Sequence, residues 1–431
     1  MILRSLYTLL LCLFSPFLLL GLYKNKPNKP KFGARWKEHF GITPPLKNQS
    51  GQPIWIHTVS VGETIAATPF ITALKNKYPD TPIVITTTTS TGAEQAKKLS
   101  GIAEHRYMPL DLPFAISGFL NVIKPKMMLI METELWPNTI HLVSKRNIPI
   151  TVINARLSAR SAQRYAKIQS VFNLLSNGLS TILCQHENDA NRFQSLGVDV
   201  QKLNVTGSLK FDITIPSSVI SNGNKLRDTI NQDQPKLRPV WIAASTHQGE
   251  DEIILQAHQQ LLMTQPDALL ILVPRHPERF DRVYSLCQST DLITARRANN
   301  DSLSNNTQVY LADTMGEMLL LIQAADICFM GGSLLGDKVG GHNLLEPAAL
   351  GKAILTGPSY YNFKDITNTL INNNSVAIIN DAQELYSSLN TLFSNLNSAK
   401  NKGRVAQDYV EQNKGSIAKT LNLIEHWIPI R

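Results

Sequence analysis

A regular alternation between short apolar runs and longer amphipathic stretches determines the fold class of this chain. The run IWIHTVS (Ile54–Ser60) has the length and β-branched content of a buried strand, and Thr64–Tyr78 has the apolar spacing of a helix. Further strand-like runs follow at 82–89, 126–132, 148–155 and 181–185. Because strands that alternate with helices form parallel sheets covered on both faces, a doubly wound α/β domain is predicted.

The alternation stops near Asp212 and restarts at Val240. The intervening segment 214–239 is rich in Ser, Asn, Pro and charged residues, which predicts an interdomain linker. Strand-like runs then follow at 240–245, 268–274, 308–313, 327–332 and 353–357, with helices predicted up to Gln265, over Met315–Ala325 and from Asn343. We therefore predict two Rossmann-like domains, 51–213 and 240–431, that face a cleft. Ligands of such sheets bind at the carboxyl ends of the strands.

Residues 1–23 are predicted to form a membrane anchor. Ser5–Tyr23 contains no charged residue, and its length approaches the roughly 20 residues that a helix needs to span a bilayer. Pro16 is expected to kink this helix, which membrane helices tolerate. The basic linker 24–50 follows, and the positive-inside rule then places the rest of the chain in the cytoplasm. A cleaved signal peptide and a helix that lies in only one leaflet are the alternatives.

Charge and cysteine content narrow the class of partner. The net charge of +9 suits an acidic partner such as a phospholipid surface, a phosphorylated substrate or nucleic acid. Nucleic acid is disfavoured, because the basic residues are scattered and lack interleaved aromatic residues. The four cysteines form no CxxC pair, so neither a disulfide framework nor a zinc site is predicted.

Charged residues at strand ends are the chemical candidates in the first domain. Glu63 ends the loop SVGE after the first strand, where it can act as a general base or simply stabilise a helix N-terminus. In METELWPN, Glu132 lies nearer the strand end than Glu134, and an acidic first turn of the following helix is the alternative to a chemical role. Lys210, in GSLKFD, can neutralise an anion or remain a solvated charge.

The second domain carries candidates for anion binding. Arg275, in LVPRHPERF, follows a strand and can hold a phosphate by two parallel hydrogen bonds. In the glycine-rich stretch 327–358, the helix predicted from Asn343 offers N–H donors and a positive dipole to an anion. Glu346, one turn later, can accept hydrogen bonds from a ribose diol. A weaker signal is TMGEM (Thr314–Met318), whose N–H groups can face the same nucleotide. The alternative is an ordinary glycine-rich turn, since neither a dinucleotide fingerprint nor a Walker A loop is present.

Several unusual strings occur together along the chain. They are RWKEHFG, HTVSVGET, METELWPN, NARLSARS, GSLKFD, ASTHQGE, LVPRHPERF, DTMGEM and GGHNLLEPAALG. In content and order they resemble the Kdo (3-deoxy-D-manno-oct-2-ulosonic acid) transferases of Gram-negative bacteria, a family of inverting GT-B glycosyltransferases. The resemblance implies transfer of Kdo from CMP-Kdo to the lipid A precursor lipid IV(A), with release of CMP, in lipopolysaccharide core biosynthesis at the inner membrane.

The resemblance also implies roles for individual residues. Glu63 matches the proton acceptor, and Glu132 and Lys210 match positions that stabilise the transition state. The CMP-binding stretches of the family match Pro274, Arg275, Met315, Gly316, Glu317, Asn343, Leu344, Leu345 and Glu346. No cofactor and no metal is expected, because CMP carries one phosphate and the sequence contains no recognisable cluster of metal ligands.

Two other functions stay open on the sequence alone. A GT-B enzyme that uses a UDP-sugar would share the two-domain fold, and a non-catalytic lipopolysaccharide-binding membrane protein would share the anchor and the charge. Family members add one, two or more Kdo units, and no motif in the chain chooses this number or the oligomeric state.

Overall fold

The structure, a computed structural model, describes residues 2–23, 30–48, 51–232 and 236–428. The chain divides into two compact units. The first unit comprises the chain up to Asp212 together with the segment from Asn413, and the second unit is Ile213–Gln412. The lysines at positions 24, 26 and 29 of the predicted basic linker lie outside the described residues.

The first unit is built on a parallel sheet of seven strands. They are Ile54–His57 (β1), Ile83–Thr87 (β2), Glu104–Tyr107 (β3), Met127–Met131 (β4), Ile150–Ala155 (β5), Thr181–Cys184 (β6) and Leu203–Val205 (β7). The helices before the domain boundary are Ile2–Tyr23 (α1), Val61–Lys77 (α2), Ser90–Lys97 (α3), Pro113–Ile123 (α4), Pro137–Lys145 (α5), Ala159–Lys167 (α6), Gln169–Ser176 (α7) and Glu187–Ser195 (α8). The strand order is β3-β2-β1-β4-β5-β6-β7. The order therefore reverses between β1 and β4, where ligands of doubly wound sheets bind.

Both faces of this sheet are buried, as the continuous apolar runs predict. In β1, Trp55 points to one face and packs against Phe119 of α4, with ring centroids 4.7 Å apart. Its neighbours Ile54 and Ile56 point to the other face, which also contains Phe70 of α2. All of these side chains are fully buried. Because successive side chains of a strand point to opposite faces, only a sheet covered on both sides buries them all.

The second unit repeats the architecture with another seven parallel strands. They are Val240–Thr246 (β8), Leu269–Pro274 (β9), Thr294–Arg296 (β10), Val309–Leu311 (β11), Ile327–Met330 (β12), Ala353–Thr356 (β13) and Val376–Ile378 (β14). The helices are Ser217–Ile230 (α9), Asp251–Thr264 (α10), Phe280–Ser289 (α11), Met318–Ala324 (α12), Leu345–Ala349 (α13), Lys364–Asn372 (α14), Ala382–Ser394 (α15) and Leu396–Gln412 (α16). The order β10-β11-β9-β8-β12-β13-β14 reverses between β8 and β12. The prediction of two doubly wound parallel-sheet domains is confirmed.

The predicted interdomain linker 214–239 is not a free spacer. It contains α9, which packs against α12 of the second unit. Gly223 allows this close approach, because a Cβ atom at this position would lie 2.5 Å from the side chain of Gln323. The polar composition that predicted a linker is explained by the exposed side of α9, of which only Gly223 and Ile230 are buried.

The C-terminal segment differs from the predicted boundary of 240–431. The helix Ser416–Ile424 (α17) packs against α2 and thus belongs to the first unit. The Asp212 carboxylate holds this segment, since it accepts hydrogen bonds from the backbone N–H groups of Gly415, at 2.6 Å, and Ile417. The chain therefore enters the second unit after Asp212 and returns to the first unit at Asn413.

The N-terminal helix α1 is long and apolar enough to cross a membrane, and Pro16 lies inside it. Beyond it, part of the predicted basic linker forms a 3-10 helix at Gly33–Phe40 that packs on α4. At the end of this 3-10 helix, a Cβ atom on Gly41 would lie 2.3 Å from the carbonyl oxygen of Ala115. The described part of the linker is thus a packed element of the first unit.

Candidate active site

Glu63 lies beside the switch point of the first unit, in the first turn of α2. Its carboxylate accepts hydrogen bonds from the backbone N–H of Val59, at 2.8 Å, and from the hydroxyl of Ser60, at 2.9 Å. Ser60 is the N-cap and accepts in turn from the Glu63 N–H, which completes a capping box. Glu63 therefore stabilises the start of α2, as one of the two interpretations predicts, and any catalytic role is additional to this structural role.

The environment of Glu63 also suits a base. Burial raises the pKa of the Glu63 carboxyl, and the charges of Glu132 and Glu134 raise it further, while hydrogen bonds from Val59 and Ser60 act in the opposite direction. The structure thus brings Glu63 close enough to both acids of METELWPN for electrostatic interaction. A carboxylate with a raised pKa is a stronger proton acceptor once it is ionised.

Glu132 is the first residue beyond β4 and has a left-handed backbone conformation, with φ of 56°. Asn154, near the end of the adjacent strand β5, has φ of 53°. Such conformations are uncommon for residues other than glycine, and a glutamate has no local hydrogen-bonding reason to adopt one. Residues with such strained backbone conformations are found preferentially at functional sites.

Lys210 lies in a 3-10 turn, Leu209–Phe211, that packs against α2. The side-chain oxygen of Asn154 accepts a hydrogen bond from the Leu209 N–H at 3.1 Å, which ties this turn to the end of β5. The turn is therefore held between the helix that carries Glu63 and the strand next to β4. All three predicted residues of the first unit belong to the carboxyl edge of its sheet.

In the second unit a buried carboxylate holds the glycine-rich loop. Glu250, at the N-terminus of α10, is fully buried. One of its oxygens accepts from the N–H groups of Ser333 and Leu334, at 2.9 and 3.0 Å. The other accepts from those of Gly332 and His247, at 2.7 and 2.9 Å. These four N–H groups are therefore not available to a ligand.

Two glycines allow the Glu250 clamp, the set of four backbone hydrogen bonds to the Glu250 carboxylate, to form. A Cβ atom on Gly331 would lie 2.9 Å from the carbonyl oxygen of Ser245 and 3.0 Å from the Glu250 carboxylate. Gly332 has φ of +70°, and a Cβ atom there would meet the ring of His342 at 2.8 Å. The loop after β12 thus needs glycine for close backbone approach at the switch point of the second unit.

Arg275 and Glu346 form the charged part of the second site. Arg275 directly follows β9 and is exposed, and within the described ranges it forms no ion pair. Burial raises the pKa of the Glu346 carboxyl, while the charge of Arg275 acts in the opposite direction, so the two side chains are neighbours. No protein donor to the Glu346 carboxylate is found among the described residues. A largely buried carboxylate without a partner is suited to a ligand that supplies hydroxyl groups.

Three histidines surround Arg275. The Nε2 atoms of His247 and His342 are 2.9 Å apart, and the rings of His247 and His276 meet edge to face at 5.1 Å. Burial lowers the pKa of His342 to about 4 and also lowers that of His247. Neighbouring positive charges add to both effects, while the Glu250 carboxylate acts in the opposite direction on the pKa of His247. Both rings are therefore neutral at pH 7, and they offer hydrogen bonds rather than charge to a ligand.

The helix that follows the glycine-rich loop begins at Leu345 rather than at the predicted Asn343. Asn343 instead precedes the helix, and its side-chain oxygen accepts from the Leu345 N–H at 3.1 Å. Leu344 and Leu345 are buried, so only their backbone atoms can reach a ligand. With five residues the helix closes little more than one turn, and individual N–H donors matter more there than a summed dipole.

The remaining predicted nucleotide contacts lie at the ends of β9 and β11. Pro274 is the buried last residue of β9. Met315 is exposed, Gly316 has φ of +86°, and both precede α12, which begins at Met318 rather than at the predicted Met315. The Glu317 carboxylate accepts two hydrogen bonds from the guanidinium of Arg297, at 2.7 and 2.5 Å. These bonds hold the pKa of Glu317 below its usual value, so this segment can offer a nucleotide its backbone rather than the carboxylate.

Glu250, His342 and Asn154 are the site residues that the sequence analysis missed. Glu250 has a signal similar to that of Glu63, an acid at a helix start directly after a strand. His342 follows two glycines in GGHN, and Asn154 lies in NARLSARS. All three act through partners far away in the sequence, which no local pattern reveals.

Two doubly wound parallel sheets, each with charged side chains at the strand ends of its switch point, place the chain in the class of proteins with a GT-B fold. The solved UDP-GlcNAc 2-epimerase from Neisseria meningitidis, bound to UDP-GlcNAc, has a similar fold. It matches with a TM-score of 0.54 at 16% identity and covers 86% of this chain and 100% of that chain.

Sequence comparison then gives the family. A family model described as 3-deoxy-D-manno-octulosonic-acid transferase (kdotransferase) matches residues 34–213. The 3-deoxy-D-manno-octulosonic acid transferase of Haemophilus influenzae is 40% identical and covers 99% of this chain and 99% of that protein. The solved C-terminal CMP-Kdo binding domain of WaaA from Acinetobacter baumannii is 37% identical, with a TM-score of 0.43, and covers 46% of this chain and 100% of that chain. The chain belongs to the Kdo transferase family and is a glycosyltransferase.

Proposed function

We propose that this protein transfers Kdo from CMP-Kdo to a hydroxyl group of the lipid A precursor lipid IV(A) and releases CMP, with Glu63 as the proton acceptor. The observation that carries the proposal is the position of Glu63, a half-buried carboxylate with a raised pKa beside two other acids at the switch point of the first sheet. The acceptor oxygen attacks the anomeric carbon of Kdo, its proton moves to Glu63, and the bond to the CMP phosphate breaks with the electron pair on CMP. Such base catalysis contributes typically about 10²–10⁴-fold.

Glu132 and Lys210 act on the charges of the transition state. The anomeric carbon gains positive charge as CMP departs, and the Glu132 carboxylate can stabilise it. The ammonium group of Lys210 can offset the Kdo carboxylate or the departing phosphate. The strained backbone at Glu132 and the tethered turn of Lys210 support this proposal, because both fix a charged side chain at the carboxyl edge of the sheet.

The second unit holds CMP-Kdo. Arg275 binds the phosphate, Glu346 accepts from the ribose hydroxyls, and the backbone around Pro274, Met315–Glu317 and Asn343–Leu345 contacts the rest of the nucleotide. The pairing of an exposed guanidinium with a carboxylate that accepts from no donor among the described residues supports this assignment, since phosphate and diol need opposite charges side by side. No metal and no cofactor takes part in the proposed reaction. Within the described ranges, no group of three or more His, Cys, Asp or Glu side chains is arranged to hold a metal ion.

The acceptor is a membrane lipid, and we place both catalytic units at the cytoplasmic side of the inner membrane. The apolar helix α1 supports attachment to a membrane. The positive net charge suits a phosphorylated lipid.

The test is Kdo transfer by the purified full-length protein, followed by mass spectrometry of the lipid product, which also counts the Kdo units added. Glu63→Gln is expected to lower the rate about 10²–10⁴-fold. Glu94→Gln, which changes an exposed glutamate of α3, is the matched control and is expected to retain activity. A Glu63→Gln protein that transfers Kdo at the wild-type rate would show that the base is another group.

A second measurement separates the proposed donor from a UDP-sugar. CMP is expected to raise the melting temperature of the protein, because the charged pair Arg275 and Glu346 binds it. Stabilisation by UDP without stabilisation by CMP would overturn the donor assignment.

A further inference from the structure

The half-buried positions of α1 form one continuous face. They are Arg4, Tyr7, Thr8, Leu11, Ser15, Leu19, Leu22 and Tyr23. Spacings of three and four residues place side chains on the same side of a helix. Most polar residues of α1 lie on this face. Its contacts with the first unit are found at both ends of the helix.

Hydrogen bonds fix the N-terminal end of α1 to buried groups. The Thr8 hydroxyl accepts from the side-chain amide of Asn138 at 2.9 Å. The Tyr7 hydroxyl donates to the Asp111 carboxylate, which also accepts from the backbone N–H of Asn138 at 3.0 Å. Asp111 and Asn138 are almost fully buried between the starts of α4 and α5. This end of α1 thus completes a polar network of the globular unit.

The C-terminal end of α1 is fixed to the same unit. The Tyr23 hydroxyl and the Nδ1 atom of buried His39 are 2.5 Å apart, and the Tyr23 ring meets that of Phe32 edge to face at 5.2 Å. The 3-10 helix that carries His39 packs on α4, whose first turn follows Asp111.

These two attachments are incompatible with a helix that crosses the bilayer. Tyr23 lies sixteen positions after Tyr7, which is roughly 24 Å of helix at 1.5 Å per residue. This length is most of the roughly 30 Å hydrocarbon thickness of a membrane. In a spanning helix Tyr7 would therefore lie near the opposite surface, where the buried groups Asp111 and Asn138 cannot follow it.

We propose that α1 does not span the membrane but lies parallel to it in one leaflet, and that the first unit docks on the phospholipid surface with this side. The outward face of α1 is apolar. For example, Leu13 and Phe17 are 62% and 70% exposed. Exposed apolar side chains continue next to both ends of the helix, with Phe114 in α4 and Trp36 in the 3-10 helix.

The partner is a bilayer with anionic lipids rather than a second protein. A helix with one face toward a protein and a largely apolar opposite face suits the boundary between acyl chains and head groups. Lys31 and Lys37 are exposed beside Trp36, and basic residues near an aromatic side chain favour an anionic surface. The inference depends on the proposed function only for the presence of a membrane acceptor.

The primary test measures topology and uses no transfer activity, so its failure is distinct from failure of the proposed function. The same short hydrophilic tag with a protease site is added to the N-terminus in one protein and to the C-terminus in another. Each is treated with protease in right-side-out spheroplasts and in sealed inside-out inner-membrane vesicles. Cleavage of both tags from the same side supports the in-plane helix, and cleavage from opposite sides overturns it.

A second test probes the docking face in vesicles that contain phosphatidylglycerol. A spin label is placed at Phe114→Cys or at Val200→Cys, in a Cys12→Ser background because Cys12 is an exposed native cysteine. Both positions are 61% exposed, but Val200 precedes β7, at the sheet edge opposite to β3 and the 3-10 helix. The Phe114 label is expected to be more accessible to oxygen than to an aqueous nickel complex, and the Val200 label the reverse. If both labels were more accessible to the nickel complex than to oxygen, the proposal that this side of the first unit docks on the membrane would be wrong.

Discussion

Replacement of Glu250 by Gln is expected to destabilise the second unit and to loosen the glycine-rich loop. Each carboxylate oxygen accepts two backbone hydrogen bonds in a fully buried position. A glutamine retains one oxygen and places its NH₂ group against the other two N–H donors, which then have no acceptor. At about 1–3 kcal/mol for each buried donor without a partner, the free energy of unfolding falls by roughly 2–6 kcal/mol.

The assay is thermal unfolding combined with CMP titration. For a unit of the size of Ile213–Gln412, 1 kcal/mol corresponds to roughly 2–4 °C, so the melting temperature falls by at least roughly 4 °C. CMP affinity falls as well, because the loop leads into Asn343. Glu252→Gln, two residues further along the same helix and exposed, is the control and retains both properties. Equal melting temperatures and CMP affinities for the two variants would show that the Glu250 clamp does not stabilise the glycine-rich loop.

Three further outcomes follow from the site. Glu63 must be ionised to accept a proton, so kcat/KM falls as the pH decreases through the raised pKa of Glu63. Glu134→Gln removes a neighbouring negative charge, which lowers the pKa of Glu63 and moves this fall in the pH–rate profile to lower pH. An unchanged profile would contradict the electrostatic interaction between the two carboxyl groups. Arg275→Ala weakens CMP binding about 10–100-fold in calorimetry, whereas exposed Arg282→Ala does not; equal effects would mean that the phosphate binds elsewhere. Transfer activity is unchanged after dialysis against EDTA, and loss that is restored by a divalent cation would show that a metal takes part.

The parts of the fold that the sequence predicts are those with local causes. Each buried strand is an apolar run because its sheet is covered on both sides, and SVGE identifies Glu63 because Ser60 and Glu63 complete a capping box three residues apart. The sequence also predicts the position of Arg275, since a charged residue directly after a buried strand lies at the carboxyl edge of the sheet.

The features that the sequence does not predict depend on contacts between residues that are far apart in the chain. Glu250 accepts from loop N–H groups more than 80 residues later, and Thr8 of α1 accepts from Asn138, 130 residues later. The polar segment 214–239 forms α9 because α12 packs against it, and not because of its own apolar content. In each case tertiary packing outweighs a local propensity that indicates something else.

The return of the chain to the first unit makes the second unit an insertion within the first. Its entry and exit lie side by side, because the Asp212 carboxylate binds the Gly415 N–H. The second unit of a related protein could therefore replace it in one piece, joined at 212/213 and 412/413, while the residues of the first unit, including Glu63, stay unchanged. A fragment that ends at Asp212 would instead leave that framework without α17, and its core would be open on the side of α2.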